Sequence, residues 1–488
     1  MNRASSVLFT LLGFFLLMSA VNAQTPPIEP GVSHELARWR AARYSEVRYK
    51  LNLTLEKMSP VLKGTIEVRV RIVGEKGSKG EGESAVGPIV LDWRKIKGHE
   101  DKSAVSNVSI NGSPAKYEES NEHLIFRDGV VGGENVIKLD FTSPILASGS
   151  AITRYIDKED GSEYIYSLFV PSDASTAFPV FDQPDLKAKF SLTLDAPKEW
   201  TVVSNTIPGL GREDSRGSFY GEVYKGVGYN FAETQPISTY VFAFAAGNFA
   251  QLTERDADTA ISAIHKKRTD TAIPVDALYQ EMGAHIFLRK SQLAKFQPHA
   301  AEVFRLNREG IKFLEEYFNY KFPFPKYDLV LIPEFPFGGM EHAGATFLRE
   351  AAVIFPSEPT ANDHISRANL IFHEAAHQWF GDTVTMRWFD DLWLKEGFAE
   401  FMAYKTLERV MPQYNAWKVF YERNKQAAYF TDSTKGTTPI YQEIKNLSAA
   451  KSAYGNIVYR KAPSFLKQAE FYLGADKFQR AVRSFLKK

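Results

Sequence analysis

The chain has 488 residues, of which 44% are hydrophobic and 24% charged, a composition typical of globular proteins rather than of disordered chains. Lysine and arginine (59) balance aspartate and glutamate (58), so the formal net charge of +1 provides no global attraction to nucleic acid or to an anionic membrane. The absence of cysteine excludes disulfides, thiolate catalysis and cysteine-ligated metals. The length predicts two or more domains.

The N-terminus has the three parts of a secretory signal peptide. Residues 1–3 supply a basic start, residues 7–18 form an apolar run, and Val21-Asn22-Ala23 matches a cleavage site. We therefore predict a signal peptide at residues 1–23 and export to the periplasm or the cell exterior. The alternative is an uncleaved membrane anchor, although the run is shorter than the roughly 20 apolar residues of a span. No second long apolar run follows, so no transmembrane segment is expected after cleavage.

The first half of the sequence has the pattern of a β protein. Alternating or β-branched runs predict strands at residues 49–55, 64–72, 89–93, 190–194 and 239–244. A series of short strands of this kind favours an antiparallel, sandwich-like fold. We predict an N-terminal β domain at residues 24–255.

The pattern changes after about residue 255. Apolar residues at helical spacing predict a helix at residues 299–318, and a proline-rich segment then leads into a predicted strand at residues 327–332. We predict a second domain at residues 256–488.

Two further helices are predicted at about residues 365–380 and 390–409. Asn362 or Asp363 is expected to cap the first of them, and Asp390 the second, because side-chain oxygens of these types satisfy the free amides of a first helical turn.

The segment His373-Glu374-Ala375-Ala376-His377 lies in the middle of the first of these two helices. Four residues span about 400° of an α-helix, so both imidazoles lie on one face, one turn apart, where they can bind one Zn²⁺. Glu374 directly follows His373, and its carboxylate can reach a water on the metal as a general base. The alternative is a helix in which ordinary hydrogen bonds satisfy both histidines.

Glu396 is the candidate for the third ligand. It follows His377 by nineteen residues and lies on the next predicted helix, so a helix–turn–helix can return its carboxylate to the histidines. A catalytic zinc needs three protein ligands and an open fourth position. Such a site lowers the pKa of a bound water towards about 7. The pattern predicts metal-dependent hydrolysis of an amide bond, with Glu374 passing a proton to the leaving amine.

Four segments share sequence features with one known protein family. They are residues 373–401, which contain the predicted ligands, the segment Gly338-Gly339-Met340-Glu341-His342, residues 459–462 (YRKA), and residues 171–190. In that order, they resemble four features of the aminopeptidase N and leukotriene-hydrolase family of zinc metallopeptidases. These are its zinc signature, its Gly-x-Met-Glu-Asn exopeptidase motif, its Tyr-Glu-Lys-Gly segment and a stretch that contacts the substrate.

The resemblance implies a fold and a cofactor. We expect an N-terminal antiparallel β domain followed by a thermolysin-like, mainly helical catalytic domain that holds one zinc per chain. The helical C-terminal domain of that family is expected to be absent or truncated in a chain that ends at Lys488.

The resemblance also assigns roles to individual residues. Glu341 would bind the free α-amine of the substrate, which restricts cleavage to the first residue. The backbone of the peptide would pair with the residues just before it, namely Gly338, Gly339 and Met340, as in β-strand addition. Tyr459 would donate a proton to the oxyanion of the tetrahedral intermediate, with Tyr454 as a weaker candidate.

Four other residues bear on the predicted site. Glu400 and Asp391 either orient the histidines or are solvated charges of the helix, and the sequence leaves both readings open. His342 stands where the family has Asn, and Val170 where it usually has Gln or Glu. A neutral His342 can accept a hydrogen bond, whereas a cationic one would repel an ammonium. Selectivity for the N-terminus is therefore expected to rest mainly on Glu341.

We predict a zinc-dependent aminopeptidase that hydrolyses the N-terminal peptide bond of peptides with a free N-terminus. One alternative is an endopeptidase with the same zinc chemistry, and another is a zinc-containing peptide-binding or scaffold protein with weak or no catalysis. A side activity on epoxides is a remote third option, with no residue that specifically argues for it. No nucleic-acid partner is expected.

Overall fold

The computed structural model of the chain describes residues 25–73, 86–208, 218–219, 222–223, 227–254 and 283–487. The predicted signal peptide at residues 1–23 and the predicted boundary between residues 255 and 256 lie outside these ranges. Among the helices of these ranges, none combines the length and apolar character that crossing a bilayer requires.

The first half of the chain consists mainly of strands, preceded by helix α1 (His34–Arg43). The strands are β1 (Tyr44–Thr54), β2 (Val61–Ile72), β3 (Ile89–Asp92), β4 (Ala104–Ile110), β5 (Ser113–Pro114), β6 (Glu118–Ser120), β7 (His123–Phe126), β8 (Gly133–Pro144), β9 (Ile152–Ile156), β10 (Glu163–Ser167), β11 (Lys189–Ala196), β12 (Thr201–Ser204), β13 (Ser218–Phe219), β14 (Glu222–Val223), β15 (Val227–Phe231) and β16 (Phe244–Gly247).

Most of these strands belong to three sheets. The largest has the order β15-β11-β1-β2-β8-β4-β5, in which β1 and β11 are parallel and the other neighbours antiparallel. The other two have the orders β12-β16-β10-β9 and β3-β7-β6. Side chains along β2 alternate between buried and more exposed positions, as expected for a sheet with one face on the core. Buried residues of all three sheets form one apolar core, which confirms the predicted β-rich N-terminal domain.

The second half of the chain combines one sheet with a group of helices. Its strands are β17 (Phe249–Thr253), β18 (His285–Arg289), β19 (Asp328–Ile332), β20 (Gly339–Met340) and β21 (Ala345–Arg349). Its helices are α2 (Leu293–Phe318), α3 (Glu350–Val353), α4 (Ala361–His377), α5 (Trp393–Val410), α6 (Ala416–Phe420), α7 (Gln426–Asp432), α8 (Ala462–Leu473) and α9 (Ala475–Leu486).

The five strands of the second half have the order β17-β18-β19-β21-β20, so β20 is an edge strand. Helices α2, α4 and α5 pack on one another through a second apolar core. Gly310 of α2 faces the ring of Phe372 of α4, where a Cβ atom would lie only 2.7 Å from a ring carbon. The missing side chain at Gly310 therefore lets α4, the helix that carries both histidines, pack closely against α2. The mainly helical second half agrees with the prediction for this part of the chain. Its sheet already begins with β17, ahead of residue 255.

The prediction of a strand at residues 239–244 is wrong. Thr239–Val241 is a 3-10 turn, and strand β16 begins only at Phe244. The run from Thr239 to Phe244 is buried throughout, so its apolar composition satisfies the core without an alternating pattern that would specify a strand.

The predicted helix caps are also wrong. Helix α4 is capped by Thr360, whose hydroxyl accepts a hydrogen bond from the amide of Asp363. The Asp363 carboxylate accepts one in return from the Thr360 amide, at 2.8 Å, so Asp363 is the partner in a capping box and neither it nor Asn362 is the cap. Helix α5 begins at Trp393, and Asp390 instead accepts hydrogen bonds from the Ile444 amide and the Tyr441 hydroxyl.

Candidate active site

The two histidines of the motif face each other inside the protein. His373 and His377 lie in the last turns of α4 and are both buried. Their Nε2 atoms are 3.0 Å apart. The helical spacing anticipated from the sequence therefore brings the two imidazoles to one point.

Glu396 reaches the same point from the first turn of α5. Its Oε2 atom lies 3.3 Å from Nε2 of His373 and 3.1 Å from Nε2 of His377. Ligands at about 2.0–2.2 Å from a tetrahedral zinc lie roughly 3.3–3.6 Å apart, so the observed separations are close to those of three ligands around one ion. These three residues form one of the groups in the described chain that could hold a metal.

Hydrogen bonds on the far side of each ring decide what the Nε2 atoms can do. Nδ1 of His373 donates to Oε2 of Glu400 at 3.0 Å, and Nδ1 of His377 donates to the carbonyl of Phe380 at 2.9 Å. A neutral imidazole that donates from Nδ1 has a lone pair on Nε2. With both rings neutral, two lone pairs and a carboxylate oxygen converge on one point, and a divalent cation at that point satisfies all three. The residues present fit a divalent metal.

Glu400 supports His373 and is itself held in place. Its other oxygen, Oε1, accepts hydrogen bonds from Nδ2 of Asn424 at 2.8 Å and from Nη1 of Arg460 at 2.9 Å. Hydrogen bonds of this kind fix the orientation of a ligating imidazole. Of the two residues left open by the sequence, Glu400 thus orients a histidine, whereas Asp391 accepts from Nε1 of Trp393 at 3.1 Å and contacts neither imidazole.

Glu374 lies between the histidines and the edge of the sheet. Its carboxylate packs against Gly339 of β20, where a Cβ atom would lie 2.4 Å from Oε1 of Glu374. Any side chain at residue 339 would therefore displace the carboxylate. Glu374, Glu341 and His377 form a second group whose ligand atoms lie within 4.8 Å of one another. Burial raises the pKa of the Glu374 carboxyl to about 8.

Strand β20 provides a free edge beside Glu374. Within the described ranges it pairs with β21 alone and ends the sheet. The Gly338 carbonyl accepts from the Arg349 amide at 2.8 Å, which extends the pairing. The predicted residues Gly338, Gly339, Met340 and Glu341 all line the cleft. An extended peptide can add to such an edge by backbone hydrogen bonds.

Glu341 follows β20 directly and is buried, but it is already paired. Its Oε1 forms an ion pair with Nζ of Lys395, which also lies 3.0 Å from Oε1 of Glu396. No motif in the sequence singles out Lys395. A signal was present, because Lys395 shares one helical stripe with Ala399 and Met402, which are both fully buried.

Tyr454 and Tyr459, the two candidate oxyanion donors, line the cleft near the histidines. The ring of Tyr459 stacks on that of His373, with centroids 6.1 Å apart, and Tyr454 lies next to it. Tyr459 belongs to a π-helical turn, Ile457–Lys461. Burial raises the pKa of both phenols above the ordinary tyrosine range, so both remain protonated donors near neutral pH.

The two residues that depart from the family pattern differ in their surroundings. Val170 lines the cleft. His342 is fully buried, and its ring packs in a T-shaped contact with Phe347, with ring centroids 4.4 Å apart. Within the described structure neither of its ring nitrogens has a hydrogen-bond partner. Burial lowers the pKa of His342 to about 3, so it is neutral and does not repel an ammonium. It also does not replace Asn as a hydrogen-bonding group.

The three converging residues line one cleft of about 540 Å³ together with Glu374, Glu341, Lys395, Glu400 and both tyrosines. Two histidines one turn apart, a glutamate between them in sequence and a third ligand on the next helix, set beside a sheet edge, define a metallopeptidase site of the two-histidine, one-glutamate class.

Comparison with known families agrees with this class. The model of the peptidase family M1 domain matches residues 303–488, and that of the peptidase M1 N-terminal domain matches residues 45–241. The chain belongs to peptidase family M1, which confirms the resemblance seen in the sequence.

Several curated relatives cover most of this chain. Aminopeptidase N of Streptomyces lividans is 30% identical over 461 residues, 94% of this chain and 48% of the relative. Leucyl aminopeptidase of Saccharolobus solfataricus is 29% identical over 84% of this chain and 46% of its own length. Tricorn protease-interacting factor F2 of Thermoplasma acidophilum is 29% identical over 81% and 45%. The chain thus spans about half the length of the curated relatives that it matches.

Proposed function

We propose that the protein is a zinc-dependent aminopeptidase that hydrolyses the N-terminal peptide bond of peptides and holds one zinc per chain. The observation that carries this proposal is the convergence of His373 Nε2, His377 Nε2 and Glu396 Oε2, 3.0–3.3 Å apart, beside a free sheet edge. The M1 membership and the aminopeptidase names of the relatives support it.

His373, His377 and Glu396 would hold the metal. When bound, the metal would polarise the scissile carbonyl of the substrate and lower the pKa of the attacking water. Glu374 acts as the base, because its carboxylate lies beside the ligands and out of bulk water. It takes the proton of the attacking water and returns it to the leaving amine. Burial favours the protonated form that this second transfer needs.

The substrate is oriented by the edge of β20. Its backbone pairs with Gly339 and Met340, and the missing side chain at Gly339 leaves Glu374 free to face the scissile bond. Glu341, at the end of the strand, receives the α-amine. Because ligand atoms of Glu341, Glu374 and His377 lie within 4.8 Å of one another, a peptide held by its amine at Glu341 would present its first peptide bond to Glu374.

Tyr459 donates its phenol proton as a hydrogen bond to the oxygen on which negative charge develops. Its ring stacks on His373, which places it beside the metal ligands, and its raised pKa keeps the proton on the phenol. A donor directed at a developing oxyanion stabilises the transition state more than the ground state.

One observation favours a second candidate, an endopeptidase with the same zinc chemistry. The ion pair between Lys395 and Glu341 reduces the negative charge that would select a free α-amine. The peptide-binding or scaffold alternative has no comparable support, since the base Glu374 lies in place beside the ligands.

The test compares two substrates that differ only at the amine. Purified protein should hydrolyse leucine p-nitroanilide and lose this activity with a chelator, and it should hydrolyse N-acetyl-leucine p-nitroanilide more slowly. Equal rates on both substrates would make the protein an endopeptidase. No hydrolysis of either by the zinc-loaded protein would leave the peptide-binding alternative.

We also propose that residues 1–23 direct export to the periplasm or the cell exterior and are then removed. Support comes from the basic start, the apolar run and the Val21-Asn22-Ala23 cleavage pattern. Mass spectrometry of the mature protein should find Gln24 as the first residue. Retention of Met1 in an exported, membrane-bound form would favour the anchor.

A further inference from the structure

We call the part of the cleft around Val170, Glu341 and Lys395 its amine-binding end. The ammonium of Lys395 lies inside it. Its side chain is 1% exposed, and its Nζ is paired with Oε1 of Glu341 and with Oε1 of Glu396. The ring centroid of Tyr240 lies 4.7 Å from this Nζ, and that of Tyr454 5.8 Å. Carboxylates and aromatic faces are the groups by which proteins bind ammonium ions. Here the bound ion is a side chain of the protein itself.

This arrangement leaves Glu341 with one oxygen for a substrate. Oε1 is paired with Lys395, whereas Oε2 accepts from no group of the described chain, and Glu341 lines the cleft. A substrate ammonium on Oε2 would lie roughly 4–5 Å from Nζ of Lys395, given ordinary hydrogen-bond lengths. Two like charges at that separation in a partly buried site repel enough to weaken binding by about tenfold or more.

Lys395 is fixed in this position. Displacing its ammonium would leave Oε1 of both Glu341 and Glu396 buried without this partner, and an unpaired buried carboxylate is strongly unfavourable. Its stem continues the buried stripe of helix α5 with Ala399 and Met402. A substrate amine therefore binds beside Lys395 and does not replace it.

We propose that Lys395 is a specificity-determining residue, which occupies part of the amine subsite and weakens the selection for a free α-amine over a blocked or uncharged one. This inference rests on the proposed function, because it takes Glu341 as the receptor of the amine. It deepens that function by naming a substrate class, namely peptides that bind through backbone pairing on β20 more than through the N-terminal charge.

The test uses two probes that differ only in the α-amine. Leucine hydroxamate carries the amine, and 4-methylpentanoyl hydroxamate is the same molecule without it. Both are directed at the metal, so any change in the metal site affects them alike. The ratio of their Kd values, measured by isothermal titration calorimetry on the zinc-loaded full chain, isolates the contribution of the amine.

Two substitutions remove the charge of Lys395 in different ways. Lys395→Gln keeps a donor for Glu341 and Glu396, and Lys395→Met keeps the apolar stem without a donor. Lys405 offers a matched control on the same helix. It pairs with Glu470, and its Nζ lies 5.4 Å from the ring of Tyr317. Lys405→Gln and Lys405→Met thus remove a comparable, partly buried ion pair outside the cleft.

We expect the preference for leucine hydroxamate over the amine-free probe to rise by about tenfold in both Lys395 variants and to stay unchanged in both Lys405 variants. An unchanged ratio in both Lys395 variants would overturn the inference. Equal weakening of both probes would also overturn it, because Lys395 would then act only by positioning Glu396. If one Lys395 variant fails to fold, the other still gives the ratio.

Hydrolysis separates this inference from the function on which it rests. If the zinc-loaded wild type and its variants all fail to hydrolyse leucine p-nitroanilide, the proposed function is contradicted, while the ratio of Kd values still decides the role of Lys395. If the wild type hydrolyses it and the ratio is unchanged, only the inference about Lys395 fails. If neither hydroxamate binds the zinc-loaded chain, both are contradicted.

Discussion

The two ends of the cleft satisfy their charged groups in opposite ways. At the metal-binding end, His373 and His377 donate outward, to Glu400 and to the Phe380 carbonyl, so their remaining nitrogens turn towards the point where a metal would bind. At the amine-binding end, Glu341 already faces a cation of the protein itself. Glu396 belongs to both ends, with Oε2 towards the histidines and Oε1 towards the lysine.

This difference shows which part of the sequence determines which part of the function. The three proposed metal ligands lie within residues 373–396, on two consecutive helices, and local helical geometry almost suffices to bring them together. The amine-binding end combines Val170, Glu341 and Lys395, which are distant in the sequence and meet only through tertiary packing. The reaction type is therefore a local property of the chain, whereas selection of the substrate's end depends on the whole fold.

The largest effect is expected at the metal-binding end, from Glu374→Gln. Loss of the base should lower kcat by about a thousandfold or more, with zinc still bound, because Glu374 is not one of the three converging ligands. Metal analysis and kinetics on leucine p-nitroanilide measure both quantities. The control Glu408→Gln, on an exposed turn of α5, should behave as the wild type. Substantial activity in Glu374→Gln would show that another group is the base.

Tyr459→Phe is expected to have the next largest effect. Removal of one donor to the oxyanion should lower kcat by about a hundredfold with little change in KM. Tyr454→Phe, in the neighbouring ring, is the matched comparison and should lower kcat much less. The reverse order of the two variants would transfer the role to Tyr454, whose buried hydroxyl has no hydrogen-bond partner in the described structure.

Glu400→Ala tests whether outward hydrogen bonds really distinguish the metal-binding end. Loss of this support for His373 should weaken zinc binding by about 10–100-fold, and excess zinc should restore most of the activity. Competition with a chromogenic chelator gives the affinity. Asp391→Ala, which removes a nearby carboxylate that contacts neither histidine, should leave it unchanged. Equal affinities for wild type and Glu400→Ala would contradict the account.

Gly339→Ala acts where the two ends meet and is expected to have the smallest effect. The new methyl group would lie 2.4 Å from Oε1 of Glu374 and must push the carboxylate aside. We expect kcat/KM to fall by about tenfold, since a small misplacement of a catalytic group is costly, with zinc content unchanged. Gly132→Ala, where a Cβ has open space, is the control. Wild-type kinetics in Gly339→Ala would mean that Glu374 acts from another position.

The sequence predicted the metal site because its evidence is local. Four residues of helix define the distance between His373 and His377, and the two-domain order follows from the change in hydrophobic period. Glu341 and Tyr459 came only from the family resemblance, and the structure places both at the cleft. The roles of these residues remain predictions until the variants are measured.

Other features could not be predicted because they depend on contacts between distant segments. The sequence predicts the cap of α4 two or three residues too late, because Thr360, Asn362 and Asp363 all have suitable side chains. The choice of Glu400 over Asp391 depends on where α5 begins, because Asp391 lies in the turn before it, and on which face of α5 packs against α4. His342 is neutral because it is completely buried. The burial of one histidine cannot be read from the sequence around it. The pairing of Lys395 with Glu341 joins residues 54 positions apart.

The most direct test of the central claim is a zinc titration of the metal-free protein, followed by hydrolysis of leucine p-nitroanilide. The account predicts no activity without zinc and a linear rise that stops at one zinc per chain. Glu396→Gln should show a much weaker response under the same conditions. Full activity in the chelated, zinc-free protein, or a break at a stoichiometry other than one, would contradict it.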